Sequence, residues 1–244
     1  MTMEYKIKYI KKTKVSKDAW DLHFIKPKGF VYKPGQFIEA NLMQKHPDER
    51  GQKRWFTLSS SPTEETLDIT TRRLPKHSSF KDVLFKLKQG DTLAIKGPDG
   101  SFTLPKSNIK LTWIAGGIGI TPFRSQIKYM VDKKLFDYDI VMFHGNRTLE
   151  DNVCRELIEE YKSKNDAFKY VEVLSEEIPK DWMGETGYID ENIIKKHLVD
   201  IDKRHFYISG PEPMVDAMKE KLTSLKIDDT RIHQDWFPGY TDMF

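Results

Sequence analysis

The feature that most constrains the fold is an apolar segment, Trp113–Ala115, that runs into the glycine-rich turn Gly116–Thr121 and then into Pro122. Glycine lets a backbone turn tightly and approach a ligand without a Cβ, and proline suits the first helical position. This order predicts a buried strand, a turn and a helix whose amino-terminal N–H groups can receive a phosphate. An ordinary strand-to-helix turn has the same pattern, so both interpretations stay open on this segment alone.

Composition excludes several classes of protein. The 244 residues include 40 basic and 37 acidic ones, and the net charge of +3 is unlike the strongly basic surface of a nucleic-acid-binding protein. The single cysteine, Cys154, allows neither an internal disulfide nor a four-cysteine iron–sulfur cluster held by this chain alone. There is no apolar stretch of membrane-spanning length, no signal-peptide h-region and no metal-ligand spacing among the histidines. We therefore expect a cytoplasmic monomer without nucleic-acid, membrane or metal partners.

The pattern of predicted elements changes near residue 105. Before it, short alternating runs predict an antiparallel β-barrel with one helix at 79–88. After it, strands alternate with helices, which is typical of a parallel sheet covered on both faces. We expect two domains, 1–105 and 106–244. The clearest predicted strands are 5–9, 35–41, 66–71, 92–96, 111–115, 139–144, 170–174 and 205–209, and the later predicted helices are 122–134, 150–162, 191–197 and 213–225.

A second motif, Arg54-Trp55-Phe56-Thr57, follows a long polar loop of the first region. Alternation along an extended chain places Arg54 and Phe56 on one side and Thr57 on the other. A guanidinium suits a phosphate, an aromatic face suits a flavin ring, and a hydroxyl suits the flavin N5 atom. The alternative interpretation is a half-buried strand with a solvated arginine.

Together the two motifs, in this order and separation, resemble those of the ferredoxin–NADP reductase-like flavoprotein oxidoreductases. Three further segments match the family: Pro34–Phe37, Gly97–Phe102 and Ser209–Met214. The resemblance covers nearly the whole chain and is closest to the short stand-alone members that have no iron–sulfur domain. It implies a flavin-binding antiparallel β-barrel followed by an NAD(P)-binding α/β domain with a parallel sheet.

In the first domain the resemblance implies that Arg54 binds the flavin phosphate, Phe56 stacks on the flavin ring, and Thr57 bonds N5 as the one catalytic residue. Phe56 stands where tyrosine is usual, and Lys81 stands where serine or threonine is usual. The resemblance to the stand-alone members favours FAD as the flavin, and the two departures leave FMN as the alternative. The other residues expected at the flavin are Trp55, Thr70, Thr71, Arg72, Ser79, Phe80 and Lys81.

In the second domain the resemblance implies a site for NADPH or NADH, with Thr121 beside the nicotinamide. The end of the second strand, Asn146-Arg147, has no carboxylate, and Arg147 favours NADPH unless it is only a solvated residue at a helix start. Two aromatic residues of the carboxyl-terminal tail are candidates to cover the flavin, and a purely structural tail is the alternative. The nicotinamide-site candidates are Gly116, Gly117, Thr121, Asn146, Arg147, Gly210, Pro211 and Met214, and the tail candidates are Phe237 and Tyr240.

The implied activity is hydride transfer from NAD(P)H to the flavin N5, followed by electron transfer to a redox protein such as ferredoxin or flavodoxin. Six lysines between residues 6 and 17 are suited to steering an acidic protein partner, but such lysines more often protect an edge strand from pairing. Two alternatives stay open. One is a reductase of a small acceptor such as free flavin, a ferric chelate or a quinone, and the other is a non-catalytic electron-transfer subunit.

Overall fold

The computed structural model describes residues 3–237. The chain divides into two compact units. The first comprises the chain up to Leu104 together with Thr121–Tyr129, and the second comprises Pro105–Ile120 and the chain from Met130 onward. A short stretch that follows the glycine turn in sequence is therefore packed with the amino-terminal unit.

The first unit is a six-stranded antiparallel sheet with one short helix. The strand order is β4-β3-β6-β1-β2-β5. The elements are β1 (Glu4–Lys14), β2 (Ala19–Ile25), β3 (Phe37–Asn41), β4 (Lys53–Thr57), β5 (Thr66–Arg72), α1 (Ser79–Leu84) and β6 (Thr92–Asp99).

The predicted barrel is an open sheet in the described part of the chain, since β4 and β5 are its two edges. The chain beyond β4 nevertheless reaches β5, because the Ser59 N–H donates to the Asp68 carbonyl at 3.0 Å. One face of the sheet is apolar through the period-two alternation of its strands, as with Leu22 and Phe24 on β2. The helix contributes Phe80 and Leu84 to the same core.

Most of the lysines between residues 6 and 17 lie on β1. This strand pairs with β6 over its first half, 4–8, and with β2 over its second half, 9–14. Lys6 and Lys8 are exposed, while Lys12 donates to the Phe85 carbonyl at 2.7 Å and lies over the Trp20 ring. Each half of β1 thus pairs with one neighbouring strand in these ladders, and the edge-protection interpretation of its lysines stays a prediction.

The second unit is built on a wholly parallel six-stranded sheet of order β10-β9-β8-β7-β11-β12. Its elements, with the helix α2 that continues from the first unit, are β7 (Leu111–Gly116), α2 (Thr121–Lys133), β8 (Ile140–Asn146), α3 (Arg155–Lys162), β9 (Phe168–Leu174), β10 (Glu185–Thr186), α4 (Glu191–His197), β11 (His205–Pro211), α5 (Glu212–Ser224) and β12 (Ile232–Phe237). The fold class predicted from the sequence, an antiparallel unit followed by a parallel α/β unit, is confirmed.

The strand order of the second unit reverses at β7. From β7 the chain proceeds outward to β8, β9 and β10, and then returns to β11 on the other side of β7. Ligands of open α/β sheets bind at the carboxyl ends of the strands at such a reversal. The predicted glycine turn follows β7 at this point, so the fold places it where a nucleotide site is expected.

One predicted helix begins later than its sequence pattern indicated. Residues from Glu150 were expected to be helical, but Leu149–Asp151 forms a single 3₁₀ turn and α3 begins at Arg155. The Asp151 carboxylate accepts a bond from the Thr148 N–H at 3.2 Å, which closes the turn locally. Asn152 then leaves the helical conformation with ψ of 96°, and its side chain enters the buried network described below.

Candidate nucleotide-binding sites

The glycine turn of the second unit is a short 3₁₀ helix, Gly117–Ile120, between β7 and α2. Gly117 has a φ of +50°, a left-handed conformation that costs glycine little. Gly119 is required for a different reason, because a Cβ there would lie 2.1 Å from the Ser209 carbonyl oxygen on β11. The turn is therefore held by close backbone packing against the neighbouring strand.

Four of the predicted residues meet at the carboxyl ends of β7 and β11. A Cβ added to Gly116 would lie 2.3 Å from the Met214 Sδ atom, and one added to Gly210 would lie 2.8 Å from the same sulfur. The thioether of Met214 therefore covers both glycines. Pro211, the last residue of β11, lies beside them.

Two buried polar side chains at this edge of the sheet suit a ligand. Asn146 ends β8 and is 5% exposed, yet neither its amide nitrogen nor its amide oxygen has a hydrogen-bond partner among the described residues. Ser209 on β11 is fully buried, and its hydroxyl likewise has no partner within residues 3–237. Buried polar groups are nearly always satisfied, so these atoms fit contact with a polar nucleotide.

Arg147 follows Asn146 and lies opposite an acidic side chain. Its Nη2 atom is 3.7 Å from the carboxylate of Asp151, which is 5% exposed, while the arginine side chain itself is 42% exposed. The 3₁₀ turn at Leu149–Asp151 positions this carboxylate. A phosphate bound by Arg147 therefore meets a nearby negative charge.

In the first unit, β4 places Arg54 and Phe56 against one ring, as the alternation predicted. The Arg54 guanidinium lies 5.3 Å from the Phe80 ring centroid, and the Phe56 ring centroid is 5.9 Å from that of Phe80. Thr57 is buried, whereas Trp55 faces solvent with 54% of its surface exposed. The structure thus brings Arg54, Phe56 and Phe80 together and leaves Trp55 outside the cluster.

Arg54 is oriented by the polar loop that precedes it. Its Nη2 donates to Asp48 at 2.6 Å, and Nη1 donates to the Arg50 and Gly51 carbonyls at 3.0 and 3.1 Å. Although burial raises the pKa of Asp48, the hydrogen bond and charge of Arg54 hold it below the usual value. The Arg54 Nε atom is buried without a partner in the described chain, so the guanidinium keeps one donor for a phosphate.

The start of α1 is capped and tied to that loop. The Ser78 hydroxyl accepts the Lys81 N–H at 3.3 Å, and the Ser79 hydroxyl accepts the Asp48 N–H at 3.0 Å. The Lys81 ammonium donates to the Arg72 carbonyl at 2.7 Å. Lys81 thus joins α1 to β5, close to the backbone N–H groups that begin the helix.

The candidates on β5 are engaged by carboxylates of the neighbouring chain segment. Thr70 donates to Asp21 at 2.6 Å, and the buried Arg72 pairs with Asp18 at 2.7 Å. Burial raises the pKa of Asp21 above its usual value. Thr71, between the two, is also buried. Side chains of the β2 region thus already hold Thr70 and Arg72.

Sequence reasoning missed a clamp that holds the start of α2 in the first unit. Arg124 donates to the Ser59 carbonyl at 3.0 Å and to Glu64 at 2.9 Å, and Ser125 donates to the Ser60 carbonyl at 2.6 Å. Thr121, the nicotinamide candidate, is buried at the beginning of this stretch. No local pattern identifies such pairs, because their members are about 60 residues apart.

Two candidates lie at or beyond the end of the described chain. Phe237 is the last residue of β12 and pairs with Pro211 of β11. Tyr240 lies outside the described residues.

Among residues 3–237 no group of three His, Cys, Asp or Glu side chains is arranged to hold a metal ion, and no helix is long and apolar enough to cross a membrane.

The fold and these two sites define a protein with one flavin-type and one dinucleotide-type domain, and comparison with known families agrees. Residues 6–104 match an oxidoreductase FAD-binding domain, and residues 113–220 match an oxidoreductase NAD-binding domain. The chain belongs to the ferredoxin–NADP reductase-like flavoprotein oxidoreductases. It therefore has the domains that bind FAD and a nicotinamide nucleotide.

Individual relatives are components of larger redox systems. One is a subunit of the Na(+)-translocating NADH-quinone reductase of Pseudoalteromonas atlantica, 31% identical over 206 residues that cover 83% of this chain and 49% of the relative. Another is the glycine betaine monooxygenase reductase subunit of Pseudomonas aeruginosa, 28% identical over 233 residues that cover 92% of this chain and 62% of the relative. The chain thus spans about half to two thirds of these relatives.

A solved structure supports the fold over nearly the full length. The cytochrome b5 reductase domain of Ulva prolifera nitrate reductase superimposes with a TM-score of 0.80, covering 96% of this chain and 97% of that domain at 20% identity.

Proposed function

We propose that this chain is an NAD(P)H-dependent flavoprotein oxidoreductase that passes electrons to an external acceptor. One observation carries the proposal: a single chain holds a strand presenting arginine, aromatic and hydroxyl groups, and a glycine cradle at a sheet reversal. A flavin bound in such a protein accepts a hydride from a reduced nicotinamide and supplies electrons to a further acceptor, which no side chain can do.

In the first unit, Arg54 supplies the countercharge for a flavin phosphate and Phe56 the apolar wall for the flavin ring. The free Nε donor of Arg54 and its position over Phe80 support this assignment. Thr57 donates to the flavin N5 and is the residue expected to influence the rate. Trp55 lies at the exposed rim, and the flavin tail and phosphates lie along Thr70, Thr71, Arg72, Ser79, Phe80 and Lys81.

In the second unit, the glycines hold the pyrophosphate of the nicotinamide nucleotide, and Asn146 contributes its unpartnered amide. The flexible Met214 side chain moves to admit the ligand, because it now covers Gly116 and Gly210. Pro211 borders this cradle and Thr121 lies beside the nicotinamide. The protein mainly orients its ligands, since hydride transfer needs no general base and requires reacting atoms about 3–3.5 Å apart.

The acceptor is proposed to be a redox protein such as ferredoxin or flavodoxin. One relative is the reductase subunit of a monooxygenase, which supports an electron-accepting protein partner. Another is a subunit of a quinone reductase, which favours a small acceptor such as a quinone, free flavin or ferric chelate as the second candidate. A cytoplasmic location and a monomeric state belong to the same proposal, and the single cysteine fits the reducing compartment but does not bear on the oligomeric state.

The deciding experiment uses the purified protein after incubation with FAD or FMN. We expect a yellow protein that prefers FAD and whose flavin absorbance bleaches anaerobically on addition of NADPH or NADH. Reoxidation rates with ferredoxin, flavodoxin, ferric chelate and quinone then rank the acceptors. A protein that binds neither flavin, or whose bound flavin is reduced by neither nucleotide, contradicts the proposed function.

Phe237 and Tyr240 are proposed to cover the flavin face that the nicotinamide approaches. The pairing of Phe237 with Pro211 supports its placement near the glycine cradle of the second unit. A truncation after Asp235 tests this gating role. We expect a changed flavin spectrum and a changed nicotinamide affinity, and unchanged values of both contradict the role.

A further inference from the structure

A chain of hydrogen-bonded polar side chains runs through the second unit from the half-exposed Arg155 to the glycine turn. It begins at Arg155, whose Nη2 donates to both carboxylate oxygens of Glu172 at 2.8 Å. Glu172 is 7% exposed on β9. Its Oε1 also accepts the Asn152 amide at 2.9 Å, and the same Nδ2 atom donates to the Tyr170 hydroxyl at 2.9 Å.

The chain ends on the backbone of the glycine turn. The Tyr170 hydroxyl lies 3.2 Å from Nδ1 of His144, which is fully buried on β8. The Nε2 atom of His144 lies 3.1 Å from the Gly117 carbonyl oxygen. We call the side chains Arg155, Glu172, Asn152, Tyr170 and His144 the polar chain.

The hydrogen-bonding capacity of each group shows which atom donates and which accepts along the polar chain. Asn152 has two amide hydrogens, and it uses one on Glu172 and one on the Tyr170 oxygen. The Tyr170 O–H is then available to donate to Nδ1 of His144. A carbonyl can only accept, so Nε2 of His144 carries the proton and donates to Gly117.

This last bond orients a peptide group in the turn. Gly117 has a φ of +50°, and glycine adopts several other conformations at little cost. In a trans peptide the C=O and the next N–H point in opposite directions. A Gly117 carbonyl held by His144 therefore directs the Ile118 N–H away from β8 and keeps it there.

We propose that His144 is a positioning residue for the phosphates of the nicotinamide nucleotide, and that the rest of the polar chain holds it in the required tautomer. The inference rests on the proposed function for the identity of the ligand. It attributes part of the nucleotide affinity to side chains that do not touch the nucleotide. The packing of Gly119 on β11 holds the turn in place, and the polar chain adds the orientation of one peptide group within it, at Gly117.

The test is isothermal titration with ADP-ribose, which carries the pyrophosphate but no reacting ring. Tyr170→Phe keeps the aromatic ring and removes the proton donor to His144, and His144→Phe removes the bond to Gly117. We expect the Kd for ADP-ribose to rise about 3- to 10-fold in Tyr170→Phe and more in His144→Phe, in proportion to one lost hydrogen bond. His144→Gln, which keeps an N–H donor, is expected to recover part of the affinity.

Tyr161→Phe is the matched control. Its hydroxyl is also buried in the second unit, where it donates to the Leu135 carbonyl at 3.0 Å and accepts from Asn165 at 3.0 Å. We expect this variant to lose stability without losing ADP-ribose affinity. Flavin absorbance reports separately on the first unit and is expected to be unchanged in all four variants.

The possible outcomes distinguish a failure of the proposed function from a failure of the positioning role of His144. If the unaltered protein does not bind ADP-ribose, the proposed function fails. If it binds but Tyr170→Phe binds equally well, or Tyr161→Phe weakens binding as much, the positioning role fails. Tyr170→Phe decides the question even if His144→Phe does not fold.

Discussion

The two candidate nucleotide sites are organised by different forces. At the proposed flavin site of the first unit, charged side chains already hold one another, as in the Arg54–Asp48 and Arg72–Asp18 pairs. At the glycine cradle of the second unit, backbone packing sets the shape, and Asn146 and Ser209 contribute buried polar atoms without partners in the described chain. Single substitutions weaken a site built from side-chain contacts one contact at a time. A side chain added where backbone segments pack closely disrupts the whole site.

Gly119→Val is expected to have the largest effect, because its Cβ would lie 2.1 Å from the Ser209 carbonyl. Backbone at that distance cannot yield as a flexible side chain can, so we expect a loss of more than about 3 kcal/mol in unfolding free energy. Denaturant titration measures it. Gly145→Ala is the control, since its nearest neighbour would be at an ordinary 3.5 Å. Equal stability of the two variants would show that backbone packing does not set the cradle.

Arg54→Met is expected to act on ligand affinity more than on folding. It removes the guanidinium of the proposed flavin site and leaves Asp48 without its Arg54 partner. Loss of a charge-assisted contact predicts a rise of about 10- to 100-fold in the Kd for FAD. Fluorescence titration of the apoprotein with FAD measures it. The exposed Arg50 is the matched control, and a similar loss in Arg50→Met would assign the effect to net charge alone.

Arg147→Met distinguishes two roles of one side chain. If Arg147 binds the 2′-phosphate, the preference for NADPH over NADH falls about tenfold, as expected for one exposed charge contact. If it only pairs with Asp151 at 3.7 Å, the preference is unchanged and stability falls by less than about 1 kcal/mol. KM values for both nucleotides decide between these results.

The smallest effect is expected at the amino-terminal ends of β7 and β11, which are the ends of these strands away from the glycine cradle. There Asp200 accepts from Arg204 at 2.7 Å and from Lys110 at 2.6 Å. Burial raises the pKa of Asp200, but these two cations lower it to about 2, below the usual 3.8. The stabilisation is therefore complete above pH 3.8 and is lost as the pH falls toward 2.

Asp200→Asn is expected to cost about 1 kcal/mol at pH 7 after allowance for solvent screening. The difference from the unaltered protein should shrink on acidification below pH 3.8 and disappear below about pH 2. Unfolding titrations at several pH values measure it, with ADP-ribose affinity as the companion readout. A pH-independent difference, or a loss of ADP-ribose affinity, would mean that this ion-pair group does more than stabilise the sheet.

Local patterns in the sequence predicted much of both units. The strand β2 was not among the predicted strands, although Leu22 and Phe24 alternate with polar neighbours in its sequence. The strand β10 shows no such alternation, because it consists of only two residues, Glu185 and Thr186, which pair with β9. The late start of α3 depends on the Asp151 turn, which competes with the helix for the same residues.

The sequence by itself determined most of the order of strands and helices, the glycine turn after β7 and the arginine–aromatic pair on β4. These follow from side-chain periodicity and backbone freedom, which act over a few neighbouring residues. Only the tertiary structure decided that Gly119 packs on Ser209, that Arg124 clamps Glu64, and that His144 reaches Gly117 through residues on separate elements. Those contacts join positions far apart in the chain, and their energies exist only after the strands have been placed side by side.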